Sequence, residues 1–398
     1  ILAAVKSHQV VVLESPTGSG KTTQVPQILL EGKISQKTIG VTQPRRIAAR
    51  SVASWIEKNL QEAHRWAPFL VGYKTRFHDT TDHTTQLKIM TDGILLQEFH
   101  LDPTLSHYDV IMVDEAHERS LNIDFILGLL KDLLQQREDL RLIISSATLQ
   151  PEVFMDFFPQ AHRLFIDSNP YPVQLRYRPS RREDIIPAIV SILRDDTIEP
   201  QGDTLVFLPG EREIKECVAA IDRALSTSVA ALPLCARLPE EEQNQVFRDF
   251  PKRKIVVSTN IAETSITING IKLVIDSGLV KTNSFNHKTG ISSLKEQPHS
   301  QASAEQRTGR AGRTAPGTCV RLFSAKDYER RPPFPAEEIY RSDLSEVVLR
   351  LIGLGITDVE SFSFPSPPTR GDLKGAIQQL QEIEEIGRAS CRERVCHR

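Results

Sequence analysis

No stretch of this 398-residue sequence approaches the run of roughly 18 to 20 apolar residues that a helical bilayer span needs. No membrane helix is therefore expected. The chain starts at Ile1 and shows no basic, apolar leader, so it reads as beginning inside a domain. Cysteine is sparse: Cys217, Cys235, Cys319, Cys391 and Cys396, none in a C-x-x-C pair. That spacing argues against a disulfide framework or a zinc ribbon, and it fits free thiols in a reducing cytoplasm. The eleven histidines show no metal-ligand spacing either. Charge of one sign is also missing. With 49 Lys+Arg against 51 Asp+Glu the net charge is −2. Any contact with nucleic acid must then come from a local basic channel, not from the global field.

What is present is a soluble, globular composition, 39% hydrophobic and 25% charged, in a chain long enough for two or three domains. Short β-branched runs alternate with helical stretches over the first 170 or so residues, the pattern of a parallel sheet with crossover helices. Val10–Leu13, Val110–Val113 and Leu142–Ile144 read as strands, and a helix is expected from near Thr22. A proline-rich, charged stretch through Arg182 reads as a linker, after which Thr204–Leu208, Ile255–Val257 and Leu273–Ile275 restart the pattern. Leu344–Leu354 reads as a helix opening a third, incomplete domain. The expected division is 1–172, a linker at 173–182, 183–331 and a partial domain at 332–384. The string after Glu385 resembles translated sequencing-adapter read-through, and 385–398 is set aside from the fold.

Three motifs carry chemistry. Ser15-Pro16-Thr17-Gly18-Ser19-Gly20-Lys21-Thr22 follows a strand and opens a helix. A phosphate chain needs close backbone approach, free N–H groups and a cation, which Gly18, Gly20, the helix start and Lys21 supply. Thr17, Ser19 and Thr23 complete the loop, and the Thr22 hydroxyl is placed to ligate Mg²⁺. The strict P-loop pattern has Gly where this chain has Ser15; a plain Gly-rich turn is the bland alternative. Asp114-Glu115-Ala116-His117 ends a strand. Hydrolysis of ATP needs one carboxylate for Mg²⁺ and another for water, and Asp114 and Glu115 offer both, with Glu115 also near the metal. Alone, that string could equally cap a helix. Gln306-Arg307-Thr308-Gly309-Arg310-Ala311-Gly312-Arg313 spaces three arginines by three, placing their heads on one side of a helix. The face is either simply solvated or a pair of arginine fingers, Arg310 and Arg313, with Gln306 holding the attacking water.

In this order, and with Thr42-Gln43-Pro44-Arg45-Arg46, Thr91-Asp92-Gly93, Ser146-Ala147-Thr148, Phe207-Leu208-Pro209-Gly210 and Thr259-Asn260-Ile261-Ala262-Glu263-Thr264-Ser265 between them, the motifs resemble those of the DEAH-box branch of superfamily 2 helicases. Several phrases look most like its bacterial HrpA-type members. The resemblance covers nearly the whole chain to about residue 384. It implies an α/β fold of two tandem RecA-like domains with ATP between them, followed by the start of a winged-helix domain. It further implies 3′→5′ movement of a monomer on single-stranded RNA, with backbone contacts from Arg45, Arg46, Thr91 and Thr259. His117, Ser146 and Thr148 would couple hydrolysis to lobe movement, and a β-hairpin between Leu279 and Leu294, turning at Thr289-Gly290, would split strands. In the family the ATP base usually stacks between an arginine and an aromatic. The matching positions here are Trp55 and Leu279, so Trp55 becomes either a stacking platform or a core residue of an amphipathic helix. DNA or a DNA–RNA hybrid is the alternative track, and a hydrolysis-dead RNA-binding scaffold the non-enzyme reading. All of Lys21, Asp114, Glu115, Gln306, Arg310 and Arg313 are present, which weighs against the scaffold.

Overall fold

The structure is a computed structural model that describes residues 1–398 apart from 17, 64–69, 148–150, 168–170, 196, 199–201, 265, 287–290 and 384–398. The tail, Thr17, Thr148 and the expected turn at Thr289-Gly290 lie outside the described residues. The first lobe holds β1 (Val10–Glu14), β2 (Thr38–Gln43), β3 (Val71–Thr75), β4 (His78–Asp79), β5 (Leu87–Thr91), β6 (Tyr108–Val113), β7 (Arg141–Ser146) and β8 (His162–Phe165). They form one sheet in the order β4-β3-β5-β2-β6-β7-β1-β8. Every neighbouring pair is parallel except β3 and β4.

The β-branched runs are apolar throughout because the sheet is covered on both faces. Alternate residues of β1 feed separate cores: Val10 and Val12 on one side, Val11 and Leu13 on the other. In β6 the same split puts Ile111 and Val113 in the first core and Val110 and Met112 in the second. With the carboxyl ends of β2, β6, β7 and β1 side by side, the residues just past these strands share one rim, where open α/β sheets bind ligands.

The second lobe repeats the plan with β9 (Val173–Tyr177), β10 (Asp203–Phe207), β11 (Val229–Leu234), β12 (Arg253–Ser258), β13 (Ile271–Asp276) and, after a hairpin of β14 (Leu279–Asn286) and β15 (Ile291–Pro298), β16 (Gly317–Arg321). The order is β11-β12-β10-β13-β16-β9, all parallel. Residues 173–182, expected as a linker, therefore contain a strand: β9 pairs with β16 from Val173 against Gly317 to Tyr177 against Arg321. Flanking prolines masked it, but Pro172 still offers its carbonyl to Gly317 N–H, and an edge strand tolerates a neighbouring proline.

The segment after residue 332 does not stand apart. Helices Ser345–Gly353 and Arg370–Glu382 bury Val347, Val348, Leu351, Leu373 and Leu380 in the same core as helix Leu121–Gln136 of the first lobe. Phe362 meets Phe125 edge-on, with ring centroids 5.6 Å apart. Gly128 makes the approach possible, since a Cβ there would lie 2.4 Å from the Ser363 carbonyl oxygen and 2.5 Å from Phe362 Cζ. Helix propensity alone favours Gly128→Ala by about 1 kcal/mol, whereas overpacking costs about 1–3 kcal/mol. The clash wins against a backbone atom, so Gly128→Ala is expected to lower the thermal unfolding midpoint by calorimetry. An unchanged or raised midpoint contradicts this packing.

Candidate functional site

The loop after β1 turns through Gly18 at φ 87° and Gly20 at φ 80°, the left-handed region that L side chains avoid. Ser15, at the position where the strict pattern has glycine, is not among the positive-φ residues. Its buried hydroxyl bonds that of Ser19, and its N–H reaches the Ser146 carbonyl at 3.3 Å, so the serine closes the loop onto β7. Helix Lys21–Glu31 then starts with Gly20 as its cap, which directs free N–H groups into the cleft. Lys21 is buried at the helix start, and the Thr23 hydroxyl bonds back to Gly20.

Asp114, at the end of β6, is fully buried. Its carboxylate accepts from Ser145 Oγ at 2.6 Å and from Gln43 Nε2 at 2.8 Å, donors carried by the neighbouring strands β7 and β2. Burial, then the adjacent Glu115 charge, pushes its pKa up, against Lys21 and hydrogen bonds from Ser145 and Thr22. A carboxylate so crowded beside a threonine hydroxyl gains from a divalent cation, so the residues fit Mg²⁺. Among the described residues no group of three His, Cys, Asp or Glu could hold a metal. Mg²⁺ needs no such cage, being held by one or two protein oxygens, substrate phosphates and water.

Glu115 adopts φ 52°, ψ 35°, and Arg119 adopts φ 46°. For residues other than glycine this conformation costs about 1–2 kcal/mol each. The strain brackets the one-turn helix Ala116–Glu118 and presents the Glu115 side chain to the cleft. His117 accepts the Ala147 N–H on Nδ1 at 3.1 Å, and burial lowers its pKa. The neutral ring with Nδ1 accepting must carry its proton on Nε2. Nε2 lies 2.8 Å from the Gln306 amide of the other lobe and 3.5 Å from Glu115 Oε2. The Gln306 atom at this contact is its Nε2; a proton on the ring Nε2 requires the amide to be assigned the other way round, with its oxygen accepting, which leaves its N–H₂ for other partners.

The second lobe faces this rim with two arginines, Arg310 buried and Arg313 half-buried. Arg310 donates to the Ile266 carbonyl at 2.6 Å and to that of Glu263. Arg313 donates to the Ile266 carbonyl at 3.2 Å and to the Thr267 hydroxyl. In both, Nε is buried without a hydrogen-bond partner. Burial, then the Arg313 charge, lowers the pKa of Arg310, and burial brings Arg313 down to about 10. The expected shared helical face is not what holds these arginines. The helix runs Gln301–Thr308 and stops at Gly309, leaving Arg310 and Arg313 in the turns beyond. Arg307, the last of the three on the helix, points elsewhere, pairing with Glu263 at 2.9 Å and Asp276 at 2.8 Å.

One cleft of about 600 Å³ is lined from the first lobe by Gly18, Gly20, Lys21, Thr22 and Glu115, and from the second by Arg310 and Arg313. A Cβ added at Gly18 would touch the Arg313 side chain at 3.4 Å, so the two lobes meet at the phosphate loop. Trp55 lines the other end and is 40% exposed, too open for a core residue of its helix. Phe247 lines the same cleft, whereas Leu279 packs against the second lobe's core and lines a different cleft with Arg182. Sequence reasoning missed Phe247, a lone aromatic after a short polar helix. It also missed Arg50, which joins Trp55 and Phe247 at the cleft and pairs across the lobes with Glu240 and Asn244.

Residues expected on a nucleic-acid track are dispersed. Arg45 lines a second interlobe cleft of about 560 Å³ together with His117, Glu118 and Asn260. Arg46 is exposed toward a smaller pocket with Tyr73 and Phe77. Thr91 caps helix Asp92–Leu101, and the Thr259 hydroxyl accepts from Ile261 N–H. Ser146 is buried, its hydroxyl on the Ala147 carbonyl at 2.8 Å.

Comparisons with known proteins agree with this arrangement. Residues 1–157 match the DEAD/DEAH box helicase family, and residues 184–315 match the helicase conserved C-terminal domain. The chain is 48% identical to the ATP-dependent RNA helicase HrpA of Borreliella burgdorferi over 97% of its own length and 48% of the relative's. It is 44% identical to the Escherichia coli protein of that name over 97% of its own length and 30% of the relative's. The crystal structure of the Escherichia coli DEAH/RHA helicase HrpB superposes with a TM-score of 0.89 at 34% identity, covering 99% of this chain and 50% of that one. The chain thus spans half or less of the length of these relatives.

The His117 assignment has a measurable consequence. Its folded pKa lies below the ordinary 6.5, so the native state resists the proton that the unfolded chain accepts. The contribution to stability is full above about pH 6.5 and declines as pH falls below it. In ¹H–¹⁵N spectra of histidine-labelled protein, one ring is expected to remain neutral and Nε2-protonated at pH 6, and it should vanish in His117→Ala. An imidazolium signal there contradicts the tautomer.

Proposed function

Because the chain, through its two matched domains, belongs to the DEAD/DEAH box helicases, we propose that it is an ATP-dependent RNA helicase or translocase, hydrolysing ATP to ADP and phosphate while moving 3′→5′ on single-stranded RNA. The observation that carries this reading is the joint lining of one cleft by Lys21, Thr22 and Glu115 of one lobe and Arg310 and Arg313 of the other.

The geometry supports the following roles. Backbone N–H groups around Gly18, Ser19 and Gly20 cradle the β- and γ-phosphates, with Thr17 in the same loop, and Lys21 neutralises them. Thr22 and Asp114 would hold a Mg²⁺ ion, which would supply positive charge to offset that of the phosphates. Glu115, held in its strained turn, orients the attacking water and takes its proton. Gln306, itself positioned by His117, directs its free amide N–H₂ at the same water. Arg310 and Arg313 meet the charge that develops on the γ-phosphoryl group, a contribution of about 10³–10⁵ in rate for arginine fingers. Trp55 and Phe247 flank the far end, where an adenine ring fits between them. Stacking reads a π-face that every base has, so base preference is weak.

RNA runs through the second cleft past Arg45, with Thr91 and Thr259 as further backbone contacts and Arg46 as a peripheral one. Ser146, whose carbonyl accepts from Ser15 and whose neighbour Ala147 donates to His117, transmits the state of the nucleotide to the lobes, together with Thr148. Three buried free cysteines fit a cytoplasmic protein, and among the described residues no helix is long and apolar enough to cross a membrane.

The test is ATP turnover with no nucleic acid, with single-stranded RNA and with single-stranded DNA, in wild type and Glu115→Gln. RNA is expected to stimulate more than DNA, and the substitution to lower turnover by about 10²–10⁴. In the same assay Trp55→Ala should raise KM alike for all four nucleoside triphosphates. Equal stimulation by DNA shifts the reading to a DNA or hybrid translocase; intact turnover in Glu115→Gln removes the hydrolytic mechanism.

A further inference from the structure

Between the catalytic rim and the second cleft lies a carboxylate that the mechanism above does not use. Glu118 ends the strained turn after His117, and its side chain is 18% exposed. One carboxylate oxygen accepts the hydroxyl of Thr264 from the other lobe. The other lies 3.6 Å from Nη2 of Arg45. That is too long for the charge-assisted bond of about 2.7–2.9 Å, so the pair is an ionic contact with poor geometry. The Arg45 Nε is buried and has no partner at all. A guanidinium left with spare donors at the wall of a cleft matches a phosphate better than it matches this carboxylate.

We propose that Glu118 occupies Arg45 and Thr264 in place of an RNA phosphate, and that RNA stimulates hydrolysis by displacing it. This rests on the reading that the RNA backbone passes Arg45. A phosphate bound bidentately on the Nε–Nη2 edge takes the Nη2 donor that now faces Glu118 at 3.6 Å. Once a phosphate takes Arg45, Glu118 keeps only Thr264 against the negative charges of Glu115 and Glu263. Burial already raises its pKa, and those two carboxylates raise it further, while Arg45 and Thr264 oppose them. Losing Arg45 leaves the contact with Thr264 opposed by both neighbouring carboxylates and so weakens it.

That contact joins the two halves of the catalytic rim. Glu118 follows His117, which holds Gln306, and Thr264 follows Glu263, whose carbonyl holds Arg310. While the clasp is closed, both backbone segments are fixed in the arrangement seen here, with Arg310 tied to backbone carbonyls instead of a phosphate. Opening it frees both segments to close on the γ-phosphate. Linkage requires the converse too: closure on ATP weakens the clasp and exposes Arg45 to RNA. Glu118 is thus a positioning residue that acts through its neighbours.

The test uses Glu118→Gln, which keeps the shape and an acceptor but removes the charge, and Thr264→Val, which removes only the hydroxyl. ATP turnover is measured across a titration of oligouridylate, and binding of a fluorescein-labelled oligouridylate is followed by anisotropy without nucleotide. Thr264→Val is expected to raise RNA-free turnover by about five- to tenfold and Glu118→Gln, whose amide oxygen still accepts from Thr264, by less, with the RNA-saturated rate of both kept within about twofold. Glu118→Gln should also bind the labelled RNA several-fold more tightly. A general structural defect would lower both rates and leave affinity unchanged or weaker. If RNA stimulates wild type but neither variant raises the RNA-free rate, the proposal is overturned and the helicase reading stands. If RNA does not stimulate wild type, the reading on which the proposal rests fails first.

Discussion

Two guanidiniums, buried Arg310 and half-buried Arg313, set the terms for the rest of the molecule. Each is held by backbone carbonyls of the turn through Ile266 or by the Thr267 hydroxyl, and each keeps an Nε with no partner. Taking such charges from water costs several kcal/mol apiece, and carbonyl dipoles alone offset only part of that. An anion between them and Lys21 completes the balance. The opposite lobe is built with the opposite imbalance, a fully buried Asp114 whose pKa is pushed up beside Glu115. Neither lobe is electrostatically complete alone. On the proposed reading, a phosphate chain with its cation would satisfy both.

The fold delivers these groups economically in space. Four adjacent strands, β2, β6, β7 and β1, end at one rim, so Gln43, Asp114, Ser145 and Ser15 arrive within hydrogen-bonding reach without long loops. Where the backbone must depart from ordinary geometry it does so at Gly18 and Gly20, at little cost, and at Glu115, where strain is retained. Lobe contacts flank the rim: Arg50 with Glu240 near Trp55 on one side, Glu118 with Thr264 beside Arg45 on the other. The nucleotide cleft and the Arg45 cleft are neighbours through Glu118, a single residue from His117. Communication between them needs no long pathway.

Much of this was legible in the residues. Strands such as Tyr108–Val113 and Arg141–Ser146 announce themselves because burial on both faces demands unbroken apolar runs. The P-loop and the Asp114-Glu115 pair announce themselves because phosphate and metal chemistry tolerate few residue types. Other features needed the third dimension. β9 hides between prolines because its pairing partner is more than a hundred residues away. The helix carrying Gln306 ends at Thr308, short of Arg310 and Arg313, which spacing by three did not reveal. Phe247 has no periodic neighbours to mark it, and Leu279 sits elsewhere. The helices beyond residue 332 read as a separate domain's beginning, yet their apolar faces are completed by the first lobe's own helix. Glu118 has meaning only through a contact across the lobes.

The most direct measurement is the chemical step itself in Arg310→Ala, followed under single-turnover conditions with saturating RNA and excess protein. If the two lobes form one catalytic site, cleavage of ATP slows by about 10³ or more, while a fluorescent ATP analogue binds within about tenfold of wild type. Cleavage within about tenfold of wild type would show that the second lobe supplies no essential charge to the reaction, and the two-lobed site would have to be abandoned.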